Sequence, residues 1–165
     1  NASGVIVPGV GNFAATAALE GPWLDTIAKV VADGTPLLGI CLGMQWLYEG
    51  SEEAPDVRGL GVLSGECRRL KAPEGSALKI PHVGCNAIDK SREASIIEGV
   101  ESGAQAYFTH SYVAPITGDT AASTEHGEAF ASVVQRGQIA GVQFHPEKSG
   151  EVGLQILRNW LRQAA

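Results

Sequence analysis

The sequence has no apolar run approaching the roughly 18 residues that a membrane-spanning helix requires. It has no basic cluster larger than 68–71 (Arg-Arg-Leu-Lys), and its formal net charge is -6. A nucleic-acid-binding surface requires a basic patch, so we expect no nucleic-acid partner. No signal-peptide pattern is found at the start. We therefore expect a cytoplasmic protein that does not associate with membranes.

Cysteine is scarce and is not spaced for disulfides or metal binding. The three cysteines, Cys41, Cys67 and Cys85, are an odd number without a Cys-x-x-Cys pair. The four histidines are scattered along the chain. The sequence therefore indicates no disulfide framework, no metal site and no cofactor.

A cysteine between two glycines follows an apolar run that is typical of a buried strand, Leu37 to Ile40. A strand that turns sharply into a helix exposes the turn residue above the sheet edge, here Cys41. Gly39 and Gly43 leave room for the crowded backbones at such an elbow. Helix amides directed at the sulfur favour the thiolate, so Cys41 is a candidate nucleophile. Taken alone, Cys41 fits a buried core cysteine equally well.

The segment 145–147 (His-Pro-Glu) supplies a candidate base. The run from Ile139 to Phe144 is strand-like, which puts His145 at the carboxyl end of a strand, where open α/β sheets carry their sites. Residues two apart in an extended segment face the same way, so Glu147 can lie beside His145 and orient its ring. Together with Cys41, these residues predict a cysteine–histidine–glutamate triad.

The first part of the chain alternates strands and helices. A strand at 4–7 ends in a glycine turn, an amphipathic helix runs from Trp23 to Asp33, and the elbow strand leads into a helix that ends near Gly50. This order implies parallel strands with right-handed crossovers. We therefore predict an α/β fold in three layers, with a mostly parallel central sheet and helices on both faces.

The pattern changes from Gly59 to Val134, where short strands are separated by glycine, proline and polar turns. This pattern predicts a smaller antiparallel or mixed sheet region. The expected strands include residues 61–63, 106–109 and 130–134.

The chain ends in a predicted helix with Ser149 as its N-cap. Leu154, Leu157 and Leu161 share one face of this helix. With 165 residues, 44% of them hydrophobic, the chain can build one core but hardly two. We therefore predict a single domain over residues 1–165.

The elbow and the His-Pro-Glu segment resemble those of the class I, or triad, glutamine amidotransferases. The motifs at 8–11, 81–84, 110–112 and 141–149 narrow the resemblance to the glutaminase subunits of imidazole glycerol phosphate synthases, which act in histidine biosynthesis. The resemblance covers nearly the whole chain. It implies that glutamine is hydrolysed to glutamate and ammonia through a glutamyl thioester. It also implies a heterodimer with a β/α-barrel synthase subunit that receives the ammonia.

The resemblance implies three further groups of residues: backbone donors of an oxyanion hole, contacts to the glutamine substrate, and a surface that faces the synthase subunit. The oxyanion-hole donors are Gly9, Val10, Gly11 and Leu42. The substrate contacts are Gln45, Glu53, Ser111 and Tyr112. The partner-facing residues are Lys79, Pro81, His82 and Asn86.

The sequence departs from the family pattern at two places. Cys85 stands where the family usually has a tryptophan, and the strand-helix-strand unit that normally precedes the region matching 4–7 is lacking. We expect this lack to leave a strand edge uncovered. Three alternatives stay open: a triad glutaminase of the anthranilate or aminodeoxychorismate type, a stand-alone cysteine hydrolase, and a catalytically silent subunit or fragment.

Overall fold

The structure is a computed structural model that describes residues 2–165. The strands β1 to β10 are, in chain order, Val5–Gly9, Leu37–Cys41, Gly50–Ser51, Glu66–Arg69, His82–Lys90, Ala104–His110, Tyr112–Val113, Thr120–Glu125, Ala129–Arg136 and Ile139–Val142. The α-helices α1 to α3 are Pro22–Ala32, Leu42–Trp46 and Gly150–Ala164, and short 3-10 helices cover Phe13–Leu19, Ser95–Ile97 and Pro146–Lys148. None of the helices within residues 2–165 has the length and apolar character needed to cross a membrane.

Seven strands form one sheet in the order β1-β2-β10-β9-β8-β5-β6, and β3, β4 and β7 form a smaller one. β2 pairs in parallel with β1 and β10, whereas the other pairs in the large sheet are antiparallel. The predicted α/β class is confirmed, but the large sheet is mixed rather than mostly parallel. The reason is the tight turn at Gly137, with a φ of 57°, because it joins β9 to β10 as a hairpin and attaches the antiparallel strands to the parallel ones.

The core lies on both faces of the large sheet. Neighbouring residues of β2 point to opposite sides: Leu37 packs in a cluster with Ile27 of α1 and Met44 of α2. Leu38 packs in a second cluster that contains Trp160 of α3. The helices therefore cover two faces of one sheet, as the three-layer prediction requires.

The helix after the elbow, α2, is shorter than expected because a later segment of the chain forms hydrogen bonds with the carbonyl groups at its C-terminal end. α2 ends at Trp46, whose carbonyl accepts a hydrogen bond from the Leu60 amide at 2.6 Å. The amides of Gly61 and Leu63 bond in the same way to the carbonyls of residues 48 and 47. The predicted strand at 61–63 is therefore wrong: its amides bond to the two residues that follow the helix, and the segment is not a strand.

The predicted terminal helix is α3, which buries Ile156 and Trp160. Of the three leucines that share a face, Leu157 is partly buried and Leu154 and Leu161 are exposed. Ser149 does not cap the helix with its side chain. Its hydroxyl bonds to two backbone groups near His145, as described below.

Candidate active site

Cys41 lies at a strained turn between β2 and α2. Its φ is 53°, a left-handed conformation that residues other than glycine seldom adopt. The neighbouring glycines are required by space: a Cβ on Gly39 would lie 2.5 Å from the Gly43 carbonyl oxygen. A Cβ on Gly43 would lie 1.7 Å from the carbonyl oxygen of Val7 in β1. The crowded backbones therefore fix the position of Cys41 at the sheet edge.

The Cys41 thiol is buried and is not ionised at rest. Burial raises its pKa to about 11, although hydrogen bonds from the Leu42 amide and the Gln143 side chain act in the opposite direction. The nearby negative charge of Glu147 raises the pKa further. The Leu42 amide at the start of α2 therefore acts in the predicted direction, but desolvation of the sulfur outweighs its contribution.

His145 is held by its backbone against β6. Its amide donates to the Tyr107 carbonyl at 2.9 Å. The Ser149 hydroxyl donates to the His145 carbonyl at 2.7 Å and accepts from the Tyr107 amide at 2.9 Å. Three hydrogen bonds therefore fix the backbone from which the imidazole projects.

The imidazole of His145 lies against Glu147, with 2.8 Å between Nδ1 and Oε1. The backbone at Pro146–Lys148 is a 3-10 turn and not the extended segment assumed from the sequence, but it brings the two side chains together. A carboxylate only accepts hydrogen bonds, so Nδ1 donates in this contact and Nε2 is the ring nitrogen left to exchange a proton. Within residues 2–165, Nε2 is buried and has no hydrogen-bond partner.

A cleft of about 200 Å³ opens at Cys41. It is smaller than the clefts of roughly 300–1,000 Å³ that hold drug-sized ligands, so it suits a small substrate. The predicted oxyanion and substrate residues that line it are Gly11, Leu42, Gln45, Glu53, Ser111 and Tyr112. Two larger clefts, one among the acidic residues near Glu49 and one between β1 and α1, contain none of the three triad residues.

The side chains of Gln45 and Glu53 brace the walls of this cleft. Gln45 is buried, and its Nε2 donates to the Tyr112 carbonyl and to Oε1 of Gln143, both at 3.0 Å. Glu53 accepts the Phe13 amide at 2.7 Å and so ties its own loop to the chain that follows β1. Both residues therefore hold the cleft open in a defined shape.

The predicted oxyanion segment is divided between two clefts. Gly11, with a φ of 111°, lines the cleft at Cys41. Gly9 and Val10 line a neighbouring cleft together with His145 and Glu147. The turn after β1 therefore borders both the cleft at Cys41 and the cleft at His145.

The predicted partner-facing group is only partly on the surface. Lys79 and Pro81 are exposed, but His82 is buried. Its ring stacks on Phe108 at 4.8 Å between centroids and on His126 at 4.1 Å. The assignment of His82 to the surface is therefore wrong, because strand alternation in β5 turns its side chain inward.

Asn86 follows the same alternation. Its Nδ2 donates to the Glu125 carbonyl at 2.9 Å and contacts Nε2 of His82 at 3.2 Å. The outward face of β5 carries Val83 and Cys85 instead. These two residues lie opposite Thr109 and Tyr107 of β6.

Gln143 was not singled out from the sequence. It is completely buried, and its Nε2 donates to Cys41 Sγ at 3.7 Å. The sequence feature that could have indicated Gln143 is a polar residue between the apolar Val142 and Phe144, two positions before His145. Within residues 2–165, no group of three or more His, Cys, Asp or Glu side chains lies close enough together to hold a metal ion.

Comparison with known sequences shows one family over almost the whole chain. The model of the family described as glutamine amidotransferase class-I matches residues 1–164. The imidazole glycerol phosphate synthase subunit HisH of Methanocaldococcus jannaschii is 41% identical over 158 residues, which are 95% of this chain and 79% of that protein. The subunit of the same name from Bacillus cereus strain B4264 is 47% identical over 160 residues, 95% of this chain and 75% of that protein.

Solved structures agree in fold. A crystal structure described as a glutamine amidotransferase has a TM-score of 0.70 at 23% identity, covering 98% of this chain and 79% of its own. PurLQS from Thermotoga maritima has a TM-score of 0.67 at 18% identity, covering 97% and 80%. At these identities the structural likeness extends to the fold alone.

Proposed function

Because this chain belongs to the class-I glutamine amidotransferase family, we propose that it is the glutaminase subunit of an imidazole glycerol phosphate synthase. It hydrolyses glutamine to glutamate and ammonia. The ammonia passes to a β/α-barrel synthase subunit, its partner in a heterodimer, which uses it in histidine biosynthesis. Sequence identity of 41–47% to subunits of that name over 95% of the chain supports this specific assignment.

The observation that carries the proposal is the state of His145. Glu147 holds its Nδ1 at 2.8 Å, and the opposite nitrogen is buried and unpaired among the described residues. An unpaired buried nitrogen costs stability, so its retention is typical of a group that exchanges protons. Cys41 lines the cleft of about 200 Å³ and is held in a strained turn, and His145 lines the neighbouring cleft.

In the first half of the reaction, His145 Nε2 takes the thiol proton of Cys41, and the sulfur attacks the side-chain carbonyl carbon of glutamine. The negative charge that moves to the carbonyl oxygen is stabilised by the Leu42 amide and by amides of the turn at 9–11. His145 then returns the proton to the leaving nitrogen. Ammonia departs and a glutamyl thioester remains on Cys41.

In the second half, a water molecule enters where ammonia has left. His145 removes its proton, and the oxygen attacks the thioester carbon. Glu147 stabilises the imidazolium form of His145 in both halves. Collapse of the second tetrahedral intermediate releases glutamate and restores the Cys41 thiol with the proton held by His145.

The outward face of β5 and β6 is the proposed docking surface for the synthase subunit. It carries Pro81, Val83 and Cys85 of the segment from 81 to 85, and Val83 is 58% exposed. Pro81 also lines the cleft at Cys41, so this surface is continuous with the site where ammonia is released. A partner seated here would cover the route by which ammonia leaves.

The test is ammonia release from glutamine by the purified chain, measured with and without a barrel-type synthase subunit and its imidazolecarboxamide nucleotide. Cys41→Ala is the control. We expect release that the partner and nucleotide increase and that the control abolishes.

Other outcomes select other functions. Release that is stimulated only by an anthranilate or aminodeoxychorismate synthase subunit would reassign the partner. Hydrolysis of peptides without hydrolysis of glutamine would indicate a stand-alone hydrolase. A folded chain that releases no ammonia under any of these conditions would indicate a catalytically silent subunit.

A further inference from the structure

We propose that Gln143 is a positioning residue for the nucleophile: its side-chain amide holds the sulfur of Cys41 and stabilises the charge that the sulfur gains on deprotonation. This inference rests on the proposed glutaminase function. Gln143 directly follows the last residue of β10 and lies two residues before His145.

The contact is direct and shielded from water. Gln143 Nε2 lies 3.7 Å from Cys41 Sγ, and the side chains are 0% and 4% exposed. The backbone of Gln143 is fixed too, because its amide donates to the Ser132 carbonyl of β9 at 2.9 Å. A donor in this position is worth more than one in water, because the local dielectric is low.

The orientation of the Gln143 amide follows from its neighbours. The Tyr112 carbonyl can only accept hydrogen bonds, so the group of Gln45 that faces it must be the nitrogen, Nε2. The same nitrogen lies 3.0 Å from Gln143, which must therefore present its oxygen, Oε1. The other end of the Gln143 amide, its NH2 group, then faces the sulfur. The Tyr112 carbonyl therefore fixes the orientation of both glutamine amides, so that the Gln143 group facing Cys41 is a hydrogen-bond donor.

The Tyr112 carbonyl is itself held from the opposite side. It accepts from His110 Nδ1 at 3.0 Å, which leaves His110 Nε2 as an acceptor for Nδ1 of His82 at 3.1 Å. Asn86 Nδ2 then donates to the remaining nitrogen of His82 at 3.2 Å. Every donor in this series has an acceptor, so the direction of the hydrogen bonds is consistent from Asn86 to Cys41.

The role of the donor grows during the reaction. A thiolate accepts a hydrogen bond more strongly than a thiol, so the contact stabilises the ionised nucleophile more than the resting one. Burial and the charge of Glu147 raise the pKa of Cys41, and the hydrogen bonds from Leu42 and Gln143 oppose that rise. Without Gln143, His145 has to remove a proton from a less acidic thiol.

The test uses Gln143→Met, which keeps the length and apolar volume of the side chain but removes the donor. The readout is the rate of iodoacetamide alkylation at Cys41 between about pH 7 and about pH 10, quantified by peptide mass spectrometry so that the other cysteines do not contribute. Alkylation requires the thiolate. We expect alkylation about tenfold slower at each pH, equivalent to a curve displaced by about one pH unit. Glutaminase kcat is expected to fall by about tenfold to 100-fold.

Gln135→Met is the matched control. Gln135 lies at the end of β9, where its Nε2 donates to Ser95 at 2.8 Å, so the control also loses amide hydrogen bonds but does not touch Cys41. We expect it to leave the Cys41 alkylation curve unchanged. If Gln143→Met does not fold, Gln143→Leu removes the same donor without adding a charge, and its curve must shift in the same direction.

Alkylation separates this inference from the proposed function, because it does not require glutamine. A wild-type chain without glutaminase activity contradicts the proposed function. Unchanged alkylation at Cys41 in a folded Gln143 variant, or an equal shift in the Gln135 control, overturns the positioning role even if glutamine is hydrolysed.

Discussion

The two ends of the seven-stranded sheet reach their geometry by different means. At the parallel end, formed by β1, β2 and β10, the positions are set by backbone crowding: Gly39 and Gly43 have no space for a side chain. At the antiparallel end, formed by β8, β5 and β6, the positions are set by side chains, above all the stacking of His82 on Phe108 and its hydrogen bond to His110. The stability of the parallel end should therefore be sensitive to a Cβ added at Gly39 or Gly43. The stability of the antiparallel end should be sensitive to protonation of its buried histidines.

The largest effect is expected at Gly43. In Gly43→Ala the new Cβ would overlap the Val7 carbonyl oxygen, which belongs to rigid backbone in β1. We expect the variant either not to fold or to lose more than about 4 kcal/mol of unfolding free energy, measured by urea denaturation. Gly118→Ala is the control because no atom lies within 4 Å of its Cβ position. Equal stability of the two variants would contradict the crowding account.

A smaller effect, on rate and not on stability, is expected at Glu147. Glu147→Gln removes the charge beside His145, but the side chain is 56% exposed, so the fold should be little affected. We expect glutaminase kcat to fall by about 100-fold or more, roughly 3 kcal/mol of transition-state stabilisation. Glu151→Gln, which alters an exposed pair with Arg158, should leave kcat unchanged. A fully active Glu147→Gln would remove the proposed role of this residue.

The histidines of the antiparallel end predict a dependence of stability on pH. Burial lowers the pKa of His82 to about 4 and that of His110 to about 3, from 6.5 in the unfolded chain. Between about pH 4 and pH 6.5 the unfolded chain therefore binds more protons than the folded one. The free energy of unfolding should be fully present above pH 6.5 and should fall as the pH decreases through this window.

Replacement of one histidine isolates this effect. In His82→Gln the decrease in unfolding free energy from about pH 7.5 to about pH 4.5 should be smaller than in wild type by roughly 2 kcal/mol. The measurement is urea denaturation at several pH values. Parallel curves for the variant and the wild type would show that His82 does not carry the pH sensitivity of this end of the sheet.

The smallest effect is expected at the surface of the antiparallel end. Cys85→Trp restores a large aromatic side chain beside Val83 and Tyr107, and we expect it to tighten binding of the barrel-type partner by about tenfold. Binding can be followed by titration calorimetry. Ile116→Trp, at another exposed apolar position, should not change the affinity. Unchanged affinity for Cys85→Trp would argue against docking on this face.

The parallel end could be predicted from the sequence in some detail because its constraints are local. Glycines on both sides of Cys41 reflect contacts between chain segments that meet at one turn. The helix from Trp23 to Asp33 was likewise predicted within two residues, since its apolar spacing and terminal glycine lie within a few turns. Crowding between segments at one turn requires glycines at neighbouring positions, and such a pattern can be recognised in a single sequence.

At the antiparallel end the strand at 106–109 was predicted and lies within β6, but the side-chain contacts were not predicted because they are long-range. The burial of His82 depends on Phe108, His110 and His126, which come from other strands. A contact missed at the parallel end was also long-range: Gln143 and Cys41 are 102 positions apart. The raised pKa of Cys41 was not predicted either, because desolvation depends on everything packed around the sulfur. Patterns of a few residues contain none of this information.

The raised pKa of Cys41 should also slow the oxidation of this residue when the protein is stored in air. Peroxides react with thiolates far faster than with thiols, so a buried nucleophile that stays protonated is slow to become a sulfenic acid. The exposed Cys85 has no such protection from burial. Oxidative damage during storage should therefore begin at Cys85 and reach Cys41, the proposed nucleophile, later.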